Sequence, residues 1–277
     1  NTTYANGDQI RNVGVIFHGQ ILAGTLSFAL GGAVVARLIS EGVPPLYGIL
    51  LAVICGFLAG CCTGFLNTRL KINSLLAGIL MMTSLYSVNL RIMARSNIQL
   101  LTVSTVLTPL ENLQVNRFIP IIAFFFLVSF IIKFLTDMFF HTQLGFAMRA
   151  TGDNEQMIRT LGVNTDNMTV LGLGISNAFV ALSGCLVAQD QGFSDIGMGI
   201  GMIVAGLAAI IIGETLVGKS SVQRMTLAAI VGSIIYKFII AVGLRLGLAP
   251  TDLKLETGVM VIVTVALSDP PLPSLMV

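Results

Sequence analysis

Pro45-Leu-Tyr-Gly-Ile-Leu-Leu-Ala-Val-Ile-Cys-Gly-Phe-Leu-Ala-Gly-Cys-Cys-Thr-Gly-Phe-Leu-Asn-Thr68 runs for 24 residues without one charged side chain. About 20 apolar residues in helical form cross the hydrocarbon core of a bilayer. The run lacks the alternation of apolar and polar residues that marks a barrel strand, so it reads as a transmembrane helix. Gly56, Gly60 and Gly64 fall four apart and share one face. Small residues at that spacing let membrane helices approach closely, so the ladder reads as a packing surface.

Comparable runs occupy residues 13–38, 74–93, 118–136, 168–188, 196–216, 225–244 and 255–268. The first is interrupted by Gly14, His18, Gly19, Gln20 and Gly24. It reads as two pieces or a re-entrant segment. Gly197, Gly199, Gly201 and Gly206 crowd the entry to the 196–216 run, which suggests a loosely wound start beside a cavity. The expected fold is an all-α polytopic transmembrane bundle of about eight hydrophobic segments, forming one domain over residues 1–277.

Composition points the same way. Of the 277 residues, 55% are hydrophobic and 10% charged, with a mean hydropathy of +0.91. A soluble domain carries roughly 25% charged residues. The net charge of +2 and the absence of a basic run exclude a nucleic-acid partner. Cys55, Cys61, Cys62 and Cys185 all lie in apolar runs and form no Cys-x-x-Cys pair, so they read as small buried hydrophobes. His18 and His141 are separated by several spans, and no metal-ligand spacing occurs. Gly213-Glu-Thr-Leu-Val-Gly-Lys-Ser220 has the spacing Gly-x-x-x-x-Gly-Lys-Ser, but it closes an apolar run with no strand ahead of it, so the sequence does not read as an ATPase or other enzyme. The opening Asn1-Thr-Thr-Tyr-Ala-Asn-Gly-Asp8 is polar and lacks Met, so a start further upstream is expected.

Two polar stretches separate the spans, at residues 94–117 and 137–167. The second contains the signals of a short helix over 153–161. Asp153 reads as its N-cap, with Gln156 three residues on. Glu155 near its start and Arg159 near its end suit the helix dipole, and Gly162 stands where a left-handed C-terminal cap belongs. Met157 and Leu161 share a face. Such a helix suits either a docking element for a soluble partner or an ordinary interfacial helix.

Polar residues within spans are candidates for a solute path, because exposure to lipid is costly. Asn89, Ser176, Asn177 and Gln189 are selected, the amides because each needs several hydrogen-bond partners, which cavity water can supply. Interhelical hydrogen bonding is the alternative for any one of them. Lys237, beside Tyr236, reads as a snorkelling or paired lysine.

Leu144-Gly-Phe-Ala-Met-Arg-Ala-Thr-Gly-Asp-Asn154, followed by Leu161-Gly-Val-Asn164, resembles the cytoplasmic coupling loop of ATP-binding cassette (ABC) importer permeases of the branched-chain amino acid and ribose type. Gln189-Asp-Gln-Gly-Phe-Ser-Asp-Ile-Gly-Met-Gly-Ile-Gly-Met-Ile-Val204, Ile212-Gly-Glu214, Leu70-Lys-Ile-Asn-Ser-Leu-Leu-Ala-Gly-Ile-Leu80 and Tyr86-Ser-Val-Asn-Leu-Arg-Ile-Met93 fit the same group. The branch most similar is that linked to aromatic amino acid uptake. That branch carries Asp-Leu-Thr-x-Glu-Gly ahead of the position of Ser27, where this chain has Phe17-His-Gly-Gln-Ile-Leu-Ala-Gly-Thr25.

The resemblance implies a permease subunit in a bacterial plasma (inner) membrane, moving a small polar solute such as an amino acid by alternating access. It implies a second permease copy, partner ATPase subunits that bind ATP and Mg, and an extracellular or periplasmic solute-binding protein. The chain itself would need no cofactor. Gly152, Asp153, Asn154, Glu155, Met157, Arg159, Leu161 and Gly162 would form the contact with the ATPase. The competing reading is an ion-coupled secondary transporter, for which Asp190 and Asp195 are the available acids.

Overall fold

The computed structural model describes residues 24–101, 103–111, 118–218, 221–245, 247 and 258–259. The described residues are helical apart from short connections and one two-stranded ribbon. The helices are α1 (Gly24–Ser40), α2 (Pro45–Thr68), α3 (Ser74–Met93), α4 (Thr108–Glu111), α5 (Phe118–Phe140), α6 (Gln143–Asp153), α7 (Glu155–Thr160), α8 (Thr165–Gln191), α9 (Met202–Val217) and α10 (Val222–Arg245). Among the described residues, α2, α3, α5, α8 and α10 are long and apolar enough to cross a membrane, and α1 and α9 are shorter apolar helices.

The local sequence explains where these helices begin and end. Pro45 opens α2, where its missing N–H costs nothing. Asn73 caps α3 by accepting the Leu75 N–H at 3.0 Å, and Asn67 Nδ2 donates to Ile72 O and Ser74 Oγ, closing the α2–α3 turn. Asn164 caps α8 by accepting the Asn167 N–H at 3.2 Å. At 27 residues, α8 is about 40 Å long.

The expected spans over 45–68 and 74–93 coincide with α2 and α3. Three other spans are longer than expected: α5 continues to Phe140, α8 runs from Thr165 to Gln191, and α10 runs from Val222 to Arg245. The span placed at 196–216 is corrected. Residues 196–201 are turn, and the helix starts at Met202 behind Gly201, whose φ is +92°. Apart from residues 258–259 and Gly24, the expected span at 255–268 and the break in the first segment lie outside the described residues.

The chain divides into two compact units, one of residues 1–123 and 146–200, the other of residues 124–145 and 201–277. In the first, α8 is the central helix, packed by α1 and α2. A Cβ at Gly31 of α1 would fall 1.9 Å from Ala181 O, and one at Gly184 of α8 would fall 2.0 Å from Phe28 O. The α2 ladder meets the same helix. Cβ atoms at Gly56, Gly60 and Gly64 would lie 2.4 Å from Ala181 Cβ, 2.2 Å from Leu173 O and 2.7 Å from Val170 Cα. The ladder is therefore the seam that lets α2 lie backbone to backbone on α8.

At the far end of α8 from α7, β1 (Asn97–Gln99) pairs antiparallel with β2 (Phe193–Asp195), with Ile98 opposite Ser194. In the second unit α9 and α10 pack by the same small-residue logic: a Cβ at Gly213 or Gly232 would stand 1.9 Å from the carbonyl oxygen of Ala228 or Ala209.

Candidate functional site

The loop expected at 137–167 folds into the end of α5, all of α6, the short α7, the turns around them and the start of α8. Gly152 and Asp153 form the last turn of α6, which corrects the reading of Asp153 as the cap of the next helix. The Asn154 N–H still bonds Ala150 O at 3.0 Å, so the chain leaves the helical path only at Asn154. That residue is extended, at φ −152°, and its Oδ1 accepts the Met157 N–H at 3.0 Å. Asn154 is the N-cap because it is the first residue free to adopt that backbone.

Gly162, at φ +85°, ends α7. Its N–H reaches Arg159 O at 3.1 Å, and the Val163 N–H reaches Ile158 O at 3.3 Å. This is the paired bonding of a Schellman cap.

One guanidinium holds α7 to the start of α8. Arg159 Nη2 donates to Glu155 at 2.7 Å and to Asp166 at 3.1 Å, while its Nε donates to Thr165 Oγ1 at 2.8 Å. The Thr165 hydroxyl in turn donates to Glu155 at 3.1 Å. The planar fork of arginine serves these acceptors together, which a lysine would not do. Arg159 and both carboxylates are solvated, so each ion pair contributes little stability alone. What the cluster supplies is a defined angle between α7 and α8. Ile158 faces inward at 7% exposure, whereas Met157 and Leu161 stand out at 59% and 67%. Sequence reading found Glu155 and Arg159 but missed Thr165 and Asp166, because they act across a turn.

The path candidates sit along α3 and α8 in the first unit. Asn177 is buried, accepts from Ser27 Oγ at 2.7 Å and donates to Leu173 O at 2.9 Å. Gln189 is buried, accepts from the Val106 N–H at 3.0 Å and donates to Cys185 O at 3.3 Å, fastening the 105–108 turn to α8. Ser176 is exposed. Asn89 is fully buried and donates to Leu26 O at 3.3 Å. Its Oδ1 is the one buried side-chain oxygen or nitrogen without a partner among the described residues. Protein groups thus meet Asn177 and Gln189 where the sequence suggests cavity water, and of the three amides Asn89 keeps an unmet acceptor.

An unmet buried acceptor costs about 1–3 kcal/mol, which roughly offsets the one bond that Asn89 makes. Asn89→Leu is therefore expected to hold or raise the thermal unfolding temperature in nanodiscs, whereas Asn177→Leu, which strips two satisfied bonds, lowers it. Equal losses in the two variants would show that Asn89 is as well paired as Asn177.

Neither acid of the ion-coupled reading lies deep within a span. Asp190 is exposed in the last turn of α8, and Asp195 sits in β2, where its carboxylate accepts the Gly197 N–H at 2.7 Å. Lys237 is exposed on α10 beside buried Tyr236, and His18 lies outside the described residues.

Residues 17–267 match the family described as branched-chain amino acid transport system, permease component. The chain is 45% identical over 240 residues to the tyrosine transport system permease protein of Clostridioides difficile (strain R20291), covering 87% of this chain and 79% of that one. It is 35% identical over 244 residues to the uncharacterized protein RP368 of Rickettsia prowazekii (strain Madrid E), covering 87% and 84%. The autoinducer 2 import system permease protein LsrC of Escherichia coli (strain K12 / DH10B) is 28% identical over 127 residues, 46% of this chain and 35% of that one. No solved structure matches. Apolar helices of bilayer length, a capped surface helix clamped to the central span and a match over most of the chain lead to one assignment: the chain belongs to the branched-chain amino acid transport permease family of ABC importers, as a multi-pass transport subunit rather than an ATPase.

Proposed function

We propose that this permease moves an aromatic amino acid of the tyrosine type, and that α7 is where a partner ATPase delivers its work. The 45% identity to a tyrosine transport permease over 87% of the chain supports the solute class. The observation that carries the second part is the outward pair Met157 and Leu161 on a helix capped at both ends and clamped to α8. An apolar pair framed by charge suits a hydrophobic groove on a soluble partner. The clamp turns displacement of α7 into displacement of a 27-residue span.

In this reading Gly152, Asp153, Asn154, Glu155, Met157, Arg159, Leu161 and Gly162 form the coupling segment of one transmembrane domain, within the cytoplasmic loop expected at 137–167, of which residues 141–164 lie between α5 and α8. Asn89, Ser176, Asn177 and Gln189 border the solute route. Asn89 offers an acceptor that an ammonium group could use once the helices around it part. The working assembly is two permease copies in a bilayer, two ATPase subunits holding ATP and Mg, and a solute-binding protein outside. ATP-driven closure of the ATPases moves the bundle between inward-open and outward-open states.

The test is reconstitution with the cognate ATPase and binding protein. Labelled tyrosine should accumulate inside proteoliposomes and be displaced by phenylalanine better than by leucine or ribose. Met157→Asp with Leu161→Asp should reduce ATPase co-purification about 100-fold, since two charges replace an apolar contact worth a few kcal/mol. Uptake of leucine or ribose but not tyrosine would overturn the solute class. Normal ATPase association in the double variant would overturn the docking site.

A further inference from the structure

An ion pair that belongs neither to the coupling segment nor to the proposed route lies within the apolar span α5. Lys133 Nζ donates to Asp137 Oδ2 at 2.5 Å, one helical turn on, and both side chains are largely buried. The other carboxylate oxygen of Asp137 accepts the hydroxyl of Thr226, 2.7 Å away on α10. Thr226 lies early in α10, and Asp137 lies three residues before the end of α5. The carboxylate therefore joins two helices of the second unit near the end of α5 that leads into α6.

The turn beyond Asp137 is equally constrained. The Asp137 carbonyl accepts the His141 N–H at 3.2 Å and lies 2.6 Å from His141 Nδ1. Thr142 Oγ1 donates to Phe139 O at 2.7 Å and accepts the Gly145 N–H at 3.2 Å. A Cβ at Gly145 would lie 2.4 Å from Phe139 O, so α6 starts tight against the end of α5. Residues 137–145 of the second unit are thus held by contacts with one another.

A buried ion pair is weak evidence for stability, because apolar residues of similar volume commonly replace both partners with no loss. Ionisable residues inside a span instead point to a role in function. We infer that the Lys133–Asp137–Thr226 cluster is a positioning clasp: it makes α5 and α10 move together when the coupling segment is displaced, so that ATP hydrolysis is spent on transport. This inference rests on the reading of α7 as the ATPase contact. Asp137 and Thr226 touch no solute in it and act through the helices they join.

The experiment uses the assembled transporter in proteoliposomes, with thermal unfolding, ATPase association, ATP hydrolysis and uptake all measured. Lys133→Met with Asp137→Leu removes both charges and leaves no orphan. Thr226→Val removes only the hydroxyl, and Thr226→Ser keeps it. The double variant is expected to unfold no earlier than the wild type and to bind the ATPase normally, with uptake per ATP hydrolysed down about tenfold, within the usual range of coupling between sites. Thr226→Val should shift that ratio in the same direction, and Thr226→Ser should restore it. A wild-type ratio in Thr226→Val overturns the clasp whether or not the double variant inserts, as does a wild-type ratio in an inserted double variant. The Met157→Asp, Leu161→Asp variant in the same assay separates the readings: if it keeps the ATPase bound, the docking site falls on its own account.

Discussion

Gly60→Val is expected to yield almost no monodisperse protein, whereas Gly206→Ala yields protein at the wild-type level. At Gly60 a Cβ would sit 2.2 Å from Leu173 O and 2.8 Å from Gly174 Cα, both backbone atoms that no rotamer change can move. The helices would have to part along the whole seam. Overpacking of a core costs about 1–3 kcal/mol when side chains can shift, and more when they cannot. That is a large share of the ~5–15 kcal/mol that holds a typical domain folded. Gly206, by contrast, has nothing within 4 Å of the position that a methyl group would take, so alanine there meets no obstacle. Size-exclusion profiles and thermal unfolding in detergent check the contrast. A well-behaved Gly60→Val protein would show that the α2–α8 seam is not a close backbone contact.

The second large effect is expected at Gly162, where function should fail without loss of the bundle. Its φ of +85° lies in the left-handed region, where a β-branched residue is strained by about 1–3 kcal/mol. With six residues, α7 has little helical stability of its own and depends on its caps. A penalty of that size is enough to unwind its last turn, displacing Leu161 and loosening Arg159 from Thr165. Gly162→Val should therefore insert normally and unfold at the wild-type temperature, with ATPase association reduced about tenfold. Gly162→Asn, which tolerates the left-handed backbone, should lose much less. Equal ATPase binding by the valine and wild-type proteins would show that the cap does not govern docking.

Local signals carried far in this chain. Spans over 45–68 and 74–93 were legible to the residue because a proline opens one, an asparagine caps the other, and the intervening turn is polar. The cap at Gly162 was legible because its glycine follows a leucine at a helix end. The N-cap was misread by one residue: Asp153 and Asn154 are both good caps, and only the end of α6 decides between them. The turn at 196–201 was misread as span because glycine and methionine are apolar by composition, yet a run this rich in glycine continues a helix poorly.

Sequence alone determined that this chain lives in a membrane, roughly where most of its helices run, and that a capped surface helix interrupts them. Those features depend on composition and on contacts between residues a few positions apart. Only the tertiary structure decided that the Gly56 ladder meets α8, that Ser27 holds Asn177 across 150 positions, that Asn97–Gln99 pairs with Phe193–Asp195, and that Thr226 completes the Asp137 clasp. Lys133 and Asp137 stand four apart, but the end expected for this span at 136 left Asp137 outside it, and the hydroxyl that joins them to α10 lies 89 residues away. A glycine face or a buried amide specifies that something must come close, and its partner is chosen by how the helices pack.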